Sequence, residues 1–280
     1  MDDFWQMVWN ETEDVAVIVM LTPTTESGRE KCFQYFPMDS GVSPYRLIAE
    51  GHSDQLEDGE IAYVDLEEQG PNTQVRKLKL SYGDKSKDVW HLLFTAFPDF
   101  GVPDKQDRAE LLDLIRLSAV KNTYAGNPRI VHCSAGVGRT GTFISVEYLL
   151  SLLASGTIEQ MGDSEDPIFD LVTELRLQRM TMVQSISQYQ FLHDILLEEL
   201  EKKQHDKQPD LPSSKLRRLN GGSKANAVDD TETKDPTPDL ETDGSKDADS
   251  DGSEVYEDAN DEIKGSTTFT VGEIPSKEEE

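Results

Sequence analysis

RIVHCSAGVGRTGTF, residues 129–143, decides how this 280-residue chain is read. The apolar pair Ile130 and Val131 leads into His132 and Cys133, five residues separate Cys133 from Arg139, and helix-forming sequence begins at Thr140. The pattern predicts a strand over residues 129–133, a tight glycine-bearing loop, and a helix over residues 140–153. Such a loop turns successive backbone N–H groups into one concavity, and the helix N-terminus adds free donors and a positive dipole end. The site is built for an anion with several acceptor oxygens. Cys133 stands at its mouth, where the same field favours thiolate over thiol. Arg139 offers a planar fork to two oxygens of the bound group. A thiolate beneath a bound phosphate is a displacement site at phosphorus. A nucleotide loop would need Gly-Lys-Ser/Thr at its end, and this one has Gly138-Arg139-Thr140.

HCSAGVGRTG (residues 132–141) resembles the signature loop of the cysteine-dependent protein tyrosine phosphatases, and its surroundings resemble the tyrosine-specific, non-receptor branch. The resemblance implies an α/β domain: a highly twisted mixed β-sheet flanked by helices, with the active site where the strand ends at Cys133 and the helix begins. It implies that the backbone of Ser134, Ala135, Gly136, Val137, Gly138 and Arg139 binds the phosphoryl oxygens while Cys133 attacks in line. His132 then orients Cys133 from behind, and Thr140 donates a hydrogen bond to the departing thiolate.

Upstream, residues 95–103 read TAFPDFGVP, a loop whose two prolines and glycine define its ends. Asp99 lies there between Phe97, Pro98 and Phe100, an apolar setting that suits a general acid. The segment resembles the family's acid loop, Trp-Pro-Asp-x-Gly-Val-Pro, with Phe97 in place of tryptophan. Phe36 stands in a second family tryptophan position. Within the polar stretch 22–31, the resemblance makes Glu26 the brace of Arg139 and Lys31 the residue facing the acid loop. Downstream, Gln184 and Gln188 before Tyr189 resemble the family's glutamine loop, in which the first glutamine positions the attacking water and the second is an accessory. Arg176 and Arg179, by the same resemblance, support the phosphate loop from behind. No cofactor and no metal are implied. The remaining histidines, His52, His91, His193 and His205, show no ligand spacing.

Around these motifs the element pattern is consistent. Residues 3–9 (DFWQMVW) form a short helix apolar nearly all round, and residues 15–21 (VAVIVML) a fully buried strand. Residues 61–67, 75–82 and 89–94 read as strands of an antiparallel meander with turns at Gly70-Pro71-Asn72 and Gly83-Asp84. Amphipathic helices are expected over 104–121 and 166–179, and a last helix runs to about Lys203.

The formal net charge is −28, which argues against nucleic acid as a partner. Residues 221–280 carry 19 acidic and 5 basic side chains, half of that net charge. Their composition cannot bury enough apolar surface to offset ordering entropy. The expected organisation is a catalytic domain over residues 1–204 and a disordered acidic tail over 205–280, in which Tyr256 and Thr237-Pro238 are candidate docking or regulatory positions. No apolar run reaches 18 residues, and Cys32 and Cys133 are the only cysteines, so the reading is a reduced, cytoplasmic or nuclear protein without a membrane span. The resemblance covers roughly residues 2–200 and begins partway into the family's domain. It lacks the family's Lys-Asn-Arg-Tyr loop, whose tyrosine stacks on the substrate ring; three readings follow, an incomplete version of a larger protein, which is favoured, a short form that folds poorly, or a chain that keeps the phosphate site without tyrosine selectivity, and part of the sheet or one face is expected to be uncovered. Two functional classes follow: a phosphatase acting on phosphotyrosine-containing proteins, or a catalytically weak phosphatase-like binding module.

Overall fold

The computed structural model describes residues 1–48, 56–123, 125–162 and 164–207. Its frame is a six-stranded mixed sheet built on β1 (Val15–Met20), the continuous apolar run. β1 pairs in parallel with β7 (Lys85–Phe94) on one side and β8 (Ile130–His132) on the other. β7, β6 (Thr73–Tyr82), β5 (Leu56–Glu68) and β4 (Val42–Ile48) continue antiparallel to the opposite edge. Parallel strands need both faces covered, which is why β1 is apolar at every position.

The alternation along each strand divides the core in two. On one face Val17, Val19, Val75, Leu92 and Phe94 pack against the helices α2 (Asp107–Lys121), α3 (Gly138–Ser155), α4 (Pro167–Gln178) and α5 (Ile186–Lys207). On the other, Ala16, Ile18, Met20, Leu78, Leu80 and Val89 pack under α1 (Asp2–Glu11) and the segment of Tyr35 and Phe36. Both faces are therefore covered at the centre. Among the described residues β8 has only β1 as a neighbour.

The strands expected from residues 61 and 89 begin earlier, β5 at Leu56 and β7 at Lys85, and further features differ from the sequence reading. The stretch after β1 is a hairpin, β2 (Thr25–Glu26) and β3 (Arg29–Glu30), closed by Ser27 (φ 51°) and Gly28 (φ 74°), a two-residue turn with both φ positive. β4 is an edge strand containing Pro44, which an edge tolerates because the missing N–H has no neighbour to serve. The helix behind the signature loop starts at Gly138, two residues before the expected Thr140, so Arg139 lies in its first turn. The acidic tail with Tyr256, Thr237 and Pro238 lies outside the described residues. No helix among the described residues is long and apolar enough to cross a membrane.

Trp5 is the largest side chain under the second face; it is fully buried and donates its indole N–H to the Tyr35 carbonyl at 3.2 Å. Replacing Trp5 with alanine removes both the packing and the donor. Urea denaturation should show about 3–5 kcal/mol less unfolding free energy.

Candidate active site

The chain leaves β8 at His132, passes through residues 133–137 and enters α3. Gly136 takes the left-handed conformation (φ 69°) that lets the loop close. Val137 stands at the helix N-cap without capping it through a side chain, so the first N–H groups of α3 are left for a ligand. Ser134 and Ala135 are exposed, Gly136 is half-buried, and Val137 and Gly138 are buried. Cys133 is a free thiol, 5% exposed, seated on the helical core beside this concavity. The Thr140 hydroxyl is buried with no partner among the described residues, a donor held in reserve next to the loop.

Arg139 is 2% exposed and joins three elements. Nη1 donates to Glu26 Oε2 on the hairpin at 3.0 Å and to the Phe97 carbonyl at 3.1 Å, and Nη2 donates to Asp99 Oδ1 at 3.0 Å. Lys31 Nζ grips the other oxygen of Asp99 at 2.6 Å, and the Asp99 N–H donates to Glu26 Oε1 at 3.1 Å. Asp99 is thus bracketed by two cations as well as by the apolar neighbours that the sequence displays. The substitution of Phe97 for tryptophan leaves the loop seated: the ring is 1% exposed, and Arg139 holds the backbone carbonyl, which every residue carries. Phe100 at φ 54° and the Gly101 N–H to Pro98 carbonyl bond (3.1 Å) make the tight turn that presents Asp99.

Gln184 follows a turn with two β-branched residues in the left-handed region, Thr181 (φ 63°) and Val183 (φ 57°). A conformation this unfavourable persists only where its surroundings enforce it. Arg176 supplies that restraint through Nε to the Met182 carbonyl (2.9 Å) and Nη2 to the Val183 carbonyl (2.8 Å). It therefore clamps the glutamine turn, whereas the expected support of the phosphate loop comes from Arg179, whose Nη2 donates to the Ala135 carbonyl at 3.0 Å. The Val137 carbonyl accepts from both the Gly141 N–H and the Val183 N–H, tying the turn to α3. Gln188 is 1% exposed, and both ends of its amide are engaged. Its oxygen accepts from the N–H groups of Gln184 and Ser185, and its nitrogen donates to the Gly101 carbonyl. That makes it a brace between the glutamine turn and the acid loop, not a group facing the mouth. Gly138 accommodates both glutamines, since a Cβ there would lie 3.1 Å from Gln184 Oε1 and from Gln188 Oε1.

The sequence-predicted residues Cys133, Arg139, Asp99, Gln184, Glu26 and Lys31 thus belong to one connected region. His132 lies at its back, with Nδ1 3.0 Å from the Cys133 carbonyl and burial pushing the imidazole below its ordinary range. Sequence reasoning passed over Arg176's clamp and the hairpin. The Ser27-Gly28 dipeptide was the available signal for the hairpin. No group of metal-binding side chains occurs among the described residues.

The family model for protein-tyrosine phosphatase matches residues 1–198. The chain is 36% identical over 203 residues to receptor-type tyrosine-protein phosphatase C of Rattus norvegicus, covering 70% of this chain and 14% of that protein. It is also 36% identical over 197 residues to tyrosine-protein phosphatase non-receptor type 7 of Rattus norvegicus, covering 69% of this chain and 47% of the relative. Among solved structures, the Trypanosoma cruzi protein tyrosine phosphatase TcPTP1 superposes with a TM-score of 0.60 at 29% identity, over 71% of this chain and 64% of that one. The catalytic domain of human protein tyrosine phosphatase non-receptor type 18 gives 0.57 at 28% identity, over 70% and 64%. The chain belongs to the protein tyrosine phosphatase family. It spans less than half the length of these curated relatives.

Two consequences are measurable. A Cβ at Gly141 would lie 2.5 Å from the Val183 backbone nitrogen, so Gly141→Ala must push the glutamine turn off α3. Its unfolding free energy should fall by about 1–3 kcal/mol. Burial also holds His91 well below the ordinary imidazole range, as it does His132 more mildly. Both bind fewer protons folded than unfolded, so stability is complete above the unfolded value of about 6.5 and declines as pH falls below it. Urea midpoints measured from neutral pH downward should fall, and the fall should flatten in His91→Gln.

Proposed function

We propose that this chain hydrolyses phosphotyrosine on proteins through a cysteinyl-phosphate intermediate, with residues 1–204 as the catalytic domain and 205–280 as an acidic tail for docking or regulation. The observation that carries the reading is the meeting at Arg139 of the phosphate loop, the acid loop and the hairpin glutamate. In the free protein the Arg139 fork is occupied by carboxylates. An arriving phosphoryl dianion takes the Asp99 oxygen's place at Nη2, and Glu26 and the Phe97 carbonyl keep Nη1 aimed.

The Cys133 thiolate attacks phosphorus in line. The bond to the tyrosine oxygen breaks, and Asp99, which takes up a proton once the phosphoryl group has displaced it from Arg139, gives that proton to the leaving phenolate. The N–H groups of residues 134–139 and the Arg139 guanidinium carry the equatorial charge, the largest contribution in displacements of this type. In the second step Gln184 orients a water and Asp99 takes its proton as the water oxygen bonds to phosphorus; the sulfur–phosphorus bond breaks, the Thr140 hydroxyl donates to the departing thiolate, and phosphate leaves. Gln188 keeps the glutamine turn and the acid loop in register through both steps.

The solved complexes of the type 18 enzyme with HER2 phosphopeptides support phosphotyrosine as the substrate class. One relative, 37% identical, is a human phosphatidylinositol phosphatase. A net charge of −28 opposes an anionic lipid surface and favours a protein substrate.

The test is hydrolysis of a small aryl phosphate and of a phosphotyrosine peptide. Cys133→Ser should abolish turnover, and Asp99→Ala should lower kcat by about 10²–10⁴. Arg139→Lys, which loses the fork, should lower it by about 10²–10³. Folded chain that binds the phosphopeptide through Arg139 but never turns it over would overturn the enzyme reading and leave the binding module.

A further inference from the structure

The acid loop has two stems, and one residue outside it grips both. The loop, residues 95–103, leaves β7 after Phe94 and leads into α2 at Asp107. Beside it lies the Gly70-Pro71-Asn72 turn that joins β5 to β6. The sheet holds that turn in place. The Gln69 N–H donates to the Thr73 carbonyl at 3.2 Å, and Thr73 is the cross-strand partner of Phe94.

On the first stem the Asn72 carbonyl accepts from the Thr95 N–H at 3.0 Å and from the Thr95 hydroxyl at 3.3 Å. On the second, the Asn72 side-chain amide donates to Asp107 Oδ1 at 2.9 Å and to Glu110 Oε2 at 3.0 Å. The Asn72 N–H donates to Glu110 Oε1 at 3.0 Å. A Cβ at Gly70 would lie 2.5 Å from that same oxygen, so glycine is what lets the carboxylate seat on the turn. Asp104 Oδ1 accepts from the N–H groups of Gln106 and Asp107 at 2.8 and 3.1 Å, which fixes the start of α2 where Asn72 reaches it.

The residue type matters. An amide nitrogen carries two hydrogens, and here each meets a different carboxylate, the stronger kind of hydrogen bond. Asp107 also faces Asp104 and Glu110; burial first, then those two charges, push its carboxyl above the ordinary range. A neutral double donor holds such a group together. Aspartate in its place would add a charge, and alanine would leave both carboxylates without the donor.

In the free chain Asp99 is held directly, by Arg139 and by Lys31. In the proposed reaction the phosphoryl group takes Asp99's place at Arg139, at the moment when Asp99 must deliver its proton. Its placement then depends on the stems of its loop. We propose that Asn72 is a positioning residue for the general acid: by tying Thr95 and the first turn of α2 to one rigid turn, it sets where Asp99 stands once Arg139 has let it go. This deepens the phosphatase reading and rests on it for the proton transfer, whereas the clasp itself stands on the bonds.

The test uses the full chain with Asn72→Ala and with Glu110→Ala, which removes two of the acceptors and serves if the first variant does not fold. Hydrogen exchange over residues 95–103, read by mass spectrometry, should quicken about tenfold in either variant and stay unchanged over β1. Hydrolysis is compared for phenyl phosphate, whose leaving group needs a proton, and 2,4-dinitrophenyl phosphate, whose leaving group does not. kcat/KM should fall about tenfold for the first ester and stay within about twofold for the second. Exchange of residues 95–103 at the unaltered rate in a folded variant overturns the clasp, with or without turnover. Equal losses on the two esters reveal a general structural role and overturn the positioning of the acid. An unaltered chain that hydrolyses neither ester sinks the phosphatase reading and with it the positioning of an acid, and the exchange result then decides the clasp alone.

Discussion

The Arg139 guanidinium is 2% exposed and met by acceptors from other segments, and the placement of those acceptors organises this site. Arg139 sits in the first turn of α3, fixed by the helix, and its acceptors come from elsewhere: Glu26 from the hairpin, the Phe97 carbonyl and Asp99 from the acid loop. Leaving any of them unmade strands a buried charge. The requirement that Arg139 be satisfied therefore draws three segments distant in sequence to the mouth of one loop. Asp99 is doubly recruited, since Lys31 holds its second oxygen. The same restraint seats the acid loop independently of the Phe97 side chain, because the contact Arg139 makes there is with the backbone carbonyl.

A second layer of restraint lies in the glutamine turn. Two β-branched residues held at positive φ store strain that Arg176, Gln188 and the Val137 carbonyl together hold in place. The Gln188 amide also reaches Gly101, and the Ser187 hydroxyl reaches the Phe100 carbonyl at 3.2 Å, so the turn and the acid loop share supports. A displacement of one is felt by the other. This coupling is what the proposed mechanism asks for, in which Asp99 and Gln184 act on the same water.

How much of this was legible follows the strength of each local signal. β1 read cleanly because both faces are buried and every position is apolar; β6 was placed to within two residues of its start, but β7 was read from Val89 and begins at Lys85, because its first four residues, Lys85-Ser86-Lys87-Asp88, are polar. The signature loop was legible as chemistry, since Cys133, Arg139 and the glycines carry the pattern within ten residues, although the helix start was misjudged by two residues at Gly138-Arg139. The hairpin was not, because two-residue strands have no periodicity. β4 was masked by Pro44. Arg76 and His91 could not be brought together by spacing: they lie on separate strands, and only the cross-strand register of β6 and β7 sets them side by side.

The account turns on Cys133 as a nucleophile that becomes covalently phosphorylated. The most direct measurement is acid quench of a single turnover in a Gln184→Ala chain, which slows the water step, followed by mass spectrometry of the Cys133 peptide. The account predicts a phosphorylated Cys133 that forms as phenol is released and decays as phosphate appears. Phosphate released together with phenol, with Cys133 unmodified at every time point, would contradict it.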